Sequence, residues 1–263
     1  MTTMKKINLF LILIIFLLTK TTMSQIHKES IQYKDGGAIL EGCIAYDESL
    51  VNKRPGILVV HEYFGLNDYT KMRCEMLAKL GYFAFAADIY GKGVIAKTPD
   101  EAGKLAGIYR NDRSLMRSRI TAAYNEIKQQ KFVDADYIAV MGYCFGGTVA
   151  IELGLTGADL KGIVSFHGGL EFPNSDDFKN IKGKVLICHG ADDPFANLEK
   201  VIKVQNQLKD AGVNYELDLY GGTVHSFTNP ASGSDPSKGV AYNEQADKRS
   251  WEKMKDFFVE IFK

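Results

Sequence analysis

Short apolar runs alternate along this chain with longer segments in which apolar residues return every three or four positions. The runs are Ser30 to Tyr33, Ile39 to Tyr46, Gly56 to His61, Tyr82 to Ala87, Tyr137 to Met141, Gly162 to Phe166, Val185 to Cys188 and Tyr215 to Leu219. Such alternation predicts βαβ units and hence a mostly parallel central sheet. The central runs are apolar almost throughout, as strands covered on both faces must be. The fold class is therefore α/β, with helices flanking the sheet on both faces.

Between the strands, Met72, Met76, Leu77 and Leu80 share one helical face, and Leu198, Val201, Ile202 and Leu208 another. Both faces are expected in the core, and Gly212 is placed to end the second helix. Trp251, Met254, Phe258 and Ile261 form a stripe on a closing helix that packs on the sheet, with Trp251 in a structural role. From Gly91 to Lys131, two helices are expected, around Pro99 to Tyr109 and Ser114 to Gln130. They fit either a lid over a pocket or an ordinary crossover helix with a helical insertion.

The N-terminus breaks this pattern. Lys5 and Lys6 precede ten apolar residues, Leu9 to Leu18, and small polar residues follow. This run is shorter than the ~20 residues that span a bilayer. It reads as a signal peptide over residues 1–24, cleaved before Gln25, although Lys20 also fits an uncleaved anchor. Cleavage would leave one domain, 25–263, secreted or periplasmic and with no stable membrane span. Losing three lysines leaves 29 basic against 32 acidic residues, which carries no footprint for nucleic acid. The four cysteines (Cys43, Cys74, Cys144, Cys188) are scattered, so no disulfide framework is expected even after export. No histidine pair has HxxxH or HxH spacing, so no metal site is expected.

In an open α/β sheet, ligands bind beyond the carboxyl ends of the strands. Four places there carry chemistry: His61-Glu62-Tyr63, Cys144, Asp192-Asp193 and His225. Cys144 lies in GYCFGG, residues 142–147, which fits a nucleophile elbow whose glycines let strand and helix approach. The helix expected after it would favour a thiolate through its N-terminal dipole, while a buried structural cysteine also fits the pattern. Hydrolases with this elbow present nucleophile, acid and histidine in that order, which selects Cys144, Asp193 and His225. Asp193 begins the turn before Pro194, with Asp192 as the alternative. His61 and His189 sit too near the ends of buried strands to swing freely, His167 belongs to a different loop, and His27 lies near the mature N-terminus.

With GYCFGG, HEYFGLN, HGADDPF and HSFTNP in register, the chain from Ile31 to Lys263 resembles the dienelactone hydrolase family of α/β-hydrolases. The resemblance implies an α/β-hydrolase fold, no cofactor, and cleavage of a small-molecule lactone or ester by a triad at Cys144, His225 and Asp193. It also implies that Glu62 lies near the thiol and takes its proton when substrate arrives. In the corresponding mechanism the thiolate attacks a carbonyl, an acyl-thiol intermediate forms, and water releases it. The oxyanion would meet the backbone N–H groups of Phe145 and Tyr63.

The family's namesake enzymes hold a substrate carboxylate with two arginines, whose counterparts here are Lys92 and Asn229. Lysine lacks the bidentate fork and asparagine lacks charge, so a substrate that is neutral or differently charged near the scissile bond is expected. Two other classes compete. A non-catalytic α/β-hydrolase scaffold could serve as a binding protein, against which the complete triad argues. A thiol redox protein would use Cys144, but no CxxC pair or resolving cysteine is evident.

Overall fold

The computed structural model describes residues 25–263. Each of the eight expected runs forms a strand: β1 (Ile26–Asp35), β2 (Ala38–Asp47), β3 (Arg54–Val60), β4 (Phe83–Ala87), β5 (Val133–Tyr143), β6 (Gly162–Phe166), β7 (Lys184–Gly190) and β8 (Tyr215–Tyr220). They form one sheet in the order β1-β2-β4-β3-β5-β6-β7-β8. The β1–β2 hairpin and the β2–β4 pair are antiparallel, and every later pair is parallel.

Alternate residues of each strand face opposite sides, so the sheet divides two cores. Leu58, Val60, Ile138 and Val140 point into one; Ile57, Val59, Ala139 and Met141 point into the other. Helices α2 (Pro99–Asn111), α3 (Arg113–Lys128), α4 (Phe145–Leu155) and α5 (Leu198–Asp210) cover the first face. Helices α1 (Asp68–Lys79) and α6 (Glu244–Ile261) cover the second. In the stretch from Gly91 to Lys131, α3 serves as the crossover helix, with Met116, Ile120, Ala123 and Ile127 buried. Helix α2 is the insertion and is tied down by Ala106 and Tyr109, whose hydroxyl donates to the Tyr90 carbonyl.

Two helical faces differ from expectation. Helix α1 buries Thr70, Arg73, Cys74, Leu77 and Ala78, leaving Met72 and Leu80 41% exposed. The period is helical and Leu77 is buried as expected, but the rest of the inner stripe is small or polar, and Arg73 makes an internal ion pair there with Asp247 of α6. Helix α5 buries Val201, Val204, Gln207 and Leu208, while Leu198 and Ile202 face out. There the Gln207 amide is accommodated by donating to Ser175 Oγ at 2.8 Å. Gly212 ends α5 with φ +69°, and the N–H groups of Gly212 and Val213 close onto the carbonyls of Lys209 and Leu208. On α6, Met254 and Phe258 are buried, with Phe257 beside them. Trp251 is half-buried and lies under the Arg73 guanidinium, 5.2 Å from its ring centre.

The leader expected over residues 1–24 lies outside the described residues. Among the described residues no helix is long and apolar enough to cross a membrane.

Candidate active site

Strand β5 ends at Tyr143 and α4 begins at Phe145, leaving Cys144 alone at the turn with φ 54° and ψ −114°. Such a backbone is strained for a residue with a side chain, so its surroundings must enforce it. Glycine makes the turn possible. A Cβ on Gly142 would stand 2.0 Å from the Gly146 carbonyl oxygen, and one on Gly146 would stand 2.3 Å from the Val60 carbonyl oxygen. The Cys144 N–H is shared between the Phe166 carbonyl at 3.0 Å and His167 Nδ1 at 3.1 Å.

From this turn, Cys144 Sγ lies 3.0 Å from His225 Nε2. His225 Nδ1 lies 2.7 Å from Asp193 Oδ2. The other carboxylate oxygen of Asp193 accepts from the N–H groups of Phe195 and Ala196. Asp193 is buried, whereas Asp192 is exposed, so Asp193 is the carboxylate that faces the imidazole. Burial alone would favour neutral His225, but the neighbouring Cys144 and Asp193 outweigh it and hold its pKa up at about 10. Burial likewise pushes Asp193 up, yet His225, His189 and the Ala196 N–H keep it below the ordinary carboxylate value. The histidine loop is pinned by a parallel bridge from His225 to Val240, and the exposed Phe195 ring stands edge-on 5.3 Å from the imidazole.

Glu62 is buried near this cluster, in the loop after β3. Its Oε1 accepts from Ser226 Oγ at 2.9 Å and its Oε2 from Asn229 Nδ2 at 2.6 Å. Burial pushes its carboxyl pKa up, opposed by those two donors and by His225. His61 holds the same loop: Nδ1–H donates to the Glu62 carbonyl while Nε2 accepts from the Ile89 N–H. The N–H groups of Tyr63 and Phe145 have no protein acceptor outside regular structure among the described residues. Lys92 and Asn229 are already engaged, Lys92 with Glu41 at 3.2 Å and Asn229 with Glu62.

One neighbour was not expected from the sequence. His167 follows β6, and β6 pairs in register with β5, matching Tyr143 to Phe166. The residue after β6 therefore stands beside the residue after β5, a signal available once the strand order is known. His167 Nδ1 accepts from Cys144, and its Nε2–H donates to Thr228 Oγ1 at 2.8 Å.

A mostly parallel sheet, a strained elbow at the end of its central strand β5, and an acid and a histidine delivered by later loops define an α/β-hydrolase. More narrowly, the chain belongs to the dienelactone hydrolase family, whose sequence profile matches residues 40–262. It is thus a hydrolase of esters or lactones. Among solved structures it is similar to m3DLH, with a TM-score of 0.87 and 38% identity over 90% of this chain and 99% of that one. It is also similar to the dienelactone hydrolase-like promiscuous phosphotriesterase P91 from metagenomic libraries, with a TM-score of 0.86, 38% identity and the same coverage, 90% and 99%. A curated relative is the protein usf of Aquifex pyrophilus, 29% identical over 206 residues, covering 76% of this chain and 87% of that protein.

Proposed function

We propose that Cys144, His225 and Asp193 act as a nucleophile–base–acid triad that cleaves small esters or lactones through an acyl-thiol intermediate. The observation that carries this reading is the unbroken line from Sγ through Nε2 and Nδ1 to Oδ2, with steps of 3.0 and 2.7 Å. In the first half-reaction sulfur adds to the substrate carbonyl, and the thiol proton resides on His225. Asp193 keeps Nδ1 protonated and stabilises the imidazolium. Collapse of the tetrahedral intermediate breaks the carbon–oxygen bond, and the departing oxygen takes the proton from Nε2. In the second half-reaction His225 deprotonates a water, which releases the acid and restores the thiol.

The developing oxyanion is received by the Phe145 and Tyr63 N–H groups, each worth about 3 kcal/mol of barrier by the usual cost of losing one such donor. Glu62 serves as an auxiliary proton acceptor near the sulfur. Its raised pKa supports that role, because burial outweighs the Asn229 and Ser226 donors and the nearby charges of His225 and Arg73 and so favours taking a proton. A substrate neutral near the scissile bond fits the pairing of Lys92 and Asn229 with carboxylates of the protein itself. Residues 1–24 are proposed to direct export, which intact-mass measurement of the mature protein checks by a chain starting at or near Gln25.

The deciding experiment is intact-mass analysis of protein mixed briefly with an aryl ester. One acyl group on Cys144 is expected, together with loss of adduct and turnover in Cys144→Ala. Wild-type turnover rates in that variant would remove Cys144 from the mechanism.

A further inference from the structure

His167 is wholly buried, carries φ +40°, and has hydrogen bonds on both ring nitrogens. At a non-glycine residue such a backbone persists only where the surroundings over-determine it. One nitrogen receives the N–H of Cys144, the residue at the elbow. The other donates to Thr228, three residues after His225 in the same loop. The two imidazoles lie edge to face, 5.3 Å between centres. Beyond Thr228 the line continues. Its hydroxyl meets Tyr69 Oη at 2.6 Å, and Arg73 donates both to Tyr69 and to the Thr228 carbonyl.

We infer that His167 is a positioning residue: it joins the nucleophile elbow to the histidine loop and so sets the distance between Cys144 Sγ and His225 Nε2. The inference rests on the reading of Cys144 as the nucleophile. The elbow is built from β5 and α4, whereas His225 arrives on the loop after β8, at the far edge of the sheet. Among the described residues, His167 is a side chain that hydrogen-bonds to both segments. Its two bonds have fixed roles, Nδ1 accepting and Nε2–H donating, so a single neutral tautomer serves. A protonated ring would lose its acceptor for Cys144. Burial, assisted by His225, His189 and Arg73, holds the His167 pKa well below its ordinary value, in keeping with that tautomer.

Three variants test this. His167→Phe keeps the bulk and removes both nitrogens, His167→Asn returns an acceptor near the position of Nδ1, and Thr228→Val removes the far anchor alone. His167→Phe is expected to lower kcat by about ten- to a hundredfold with KM within about twofold, as for a buried hydrogen bond lost beside misplaced reacting atoms. Alkylation of Cys144 by chloroacetamide, located by peptide mass, should slow by a similar factor, since the sulfur loses its alignment with its proton acceptor. His167→Asn should recover part of both losses, and Thr228→Val should show a smaller loss of the same kind. A purely structural role would lower the unfolding midpoint and leave both rates of the folded protein intact.

Alkylation reports on the sulfur whether or not an ester is turned over. A wild-type protein inert towards esters would therefore count against the triad and leave this test standing. Folded His167→Phe with kcat and alkylation within about twofold of wild type overturns the inference. If His167→Phe does not fold, the same result for Thr228→Val does so.

Discussion

Asn229 donates its side-chain N–H to the Glu62 carboxylate across 2.6 Å, joining the loop after β3 to the loop after β8. Its own carbonyl oxygen accepts from the Ala231 N–H, so this side chain is used at both ends. Asn229→Ala leaves a buried carboxylate oxygen without its donor and should destabilise the fold by about 1–3 kcal/mol. Urea unfolding at neutral pH measures this, and an unchanged midpoint would show that water replaces the amide at no cost.

The same bond governs the substrate. With Asn229 committed to Glu62 and Lys92 to Glu41, neither offers a free charge to an incoming carboxylate. The methyl ester of a carboxylated lactone should show the higher kcat/KM of the pair. Asn229→Arg should narrow that preference by roughly tenfold or more, as a charge-assisted hydrogen bond is gained. Preference of the wild type for the free carboxylate would contradict the proposal.

Asp193→Asn should leave the fold intact and lower kcat by roughly a thousandfold or more, because an amide can hold the imidazole in the wrong tautomer. It should also change how stability depends on pH. His225 is raised from 6.5 to about 10 in the folded protein, so its stabilising share is complete below about pH 6.5 and fades as pH rises towards 10. Removing the carboxylate brings the folded pKa down. The decline should then be shallower and end at a lower pH, as melting temperatures from pH 6 to 10 can show. An unaltered slope would mean that Cys144 alone holds the proton on His225.

Arg73 is a buried cation whose loss should be severe. It pairs with Asp247 at 2.6 Å, donates to the Thr228 carbonyl at 2.7 Å, and lies against Tyr69, Tyr143 and Trp251. Arg73→Met strands Asp247 and should cost about 3–5 kcal/mol in chemical denaturation. Adding Asp247→Asn to that variant should return part of the loss. Additive losses in the double variant would show that the two residues do not act as a pair.

Where the chain must be apolar on both sides, its letters announce the structure. Strands such as Leu58-Val59-Val60 and Phe83-Ala84-Phe85-Ala86-Ala87 could hardly be anything else in this context. Cys144, Asp193 and His225 were legible because each follows such a strand or its loop in the order hydrolases use. Less was legible on the helices. Met72 and Ile202 invite burial, yet α1 turns Arg73 inward and α5 turns Gln207 inward, each towards a polar partner far along the chain. His167 was hidden for a similar reason. Its place in the site depends on the register of β6 against β5 and on a positive φ, and neither is local to its sequence. The bond from Asn229 to Glu62 was hidden too, since the two residues lie 167 positions apart in the chain.

The bridge from His225 to Val240 has a consequence in time. The Gly239 carbonyl accepts from the His225 N–H, and the His225 carbonyl accepts from the Ala241 N–H. Gly239 in turn sits so close to Pro194, beside the acid, that a Cβ there would come within 2.7 Å of the proline ring. Three stretches, around residues 193, 225 and 240, must therefore dock before Nε2 can face the sulfur, whereas the elbow closes from residues 142–147 and the ends of the two strands beside β5, at Val60 and at Phe166 with His167. Long loops close late, since their entropy is lost before their contacts form. On refolding, Cys144 should become shielded from a bulky thiol reagent first, and ester turnover should return afterwards, on a separate and slower phase.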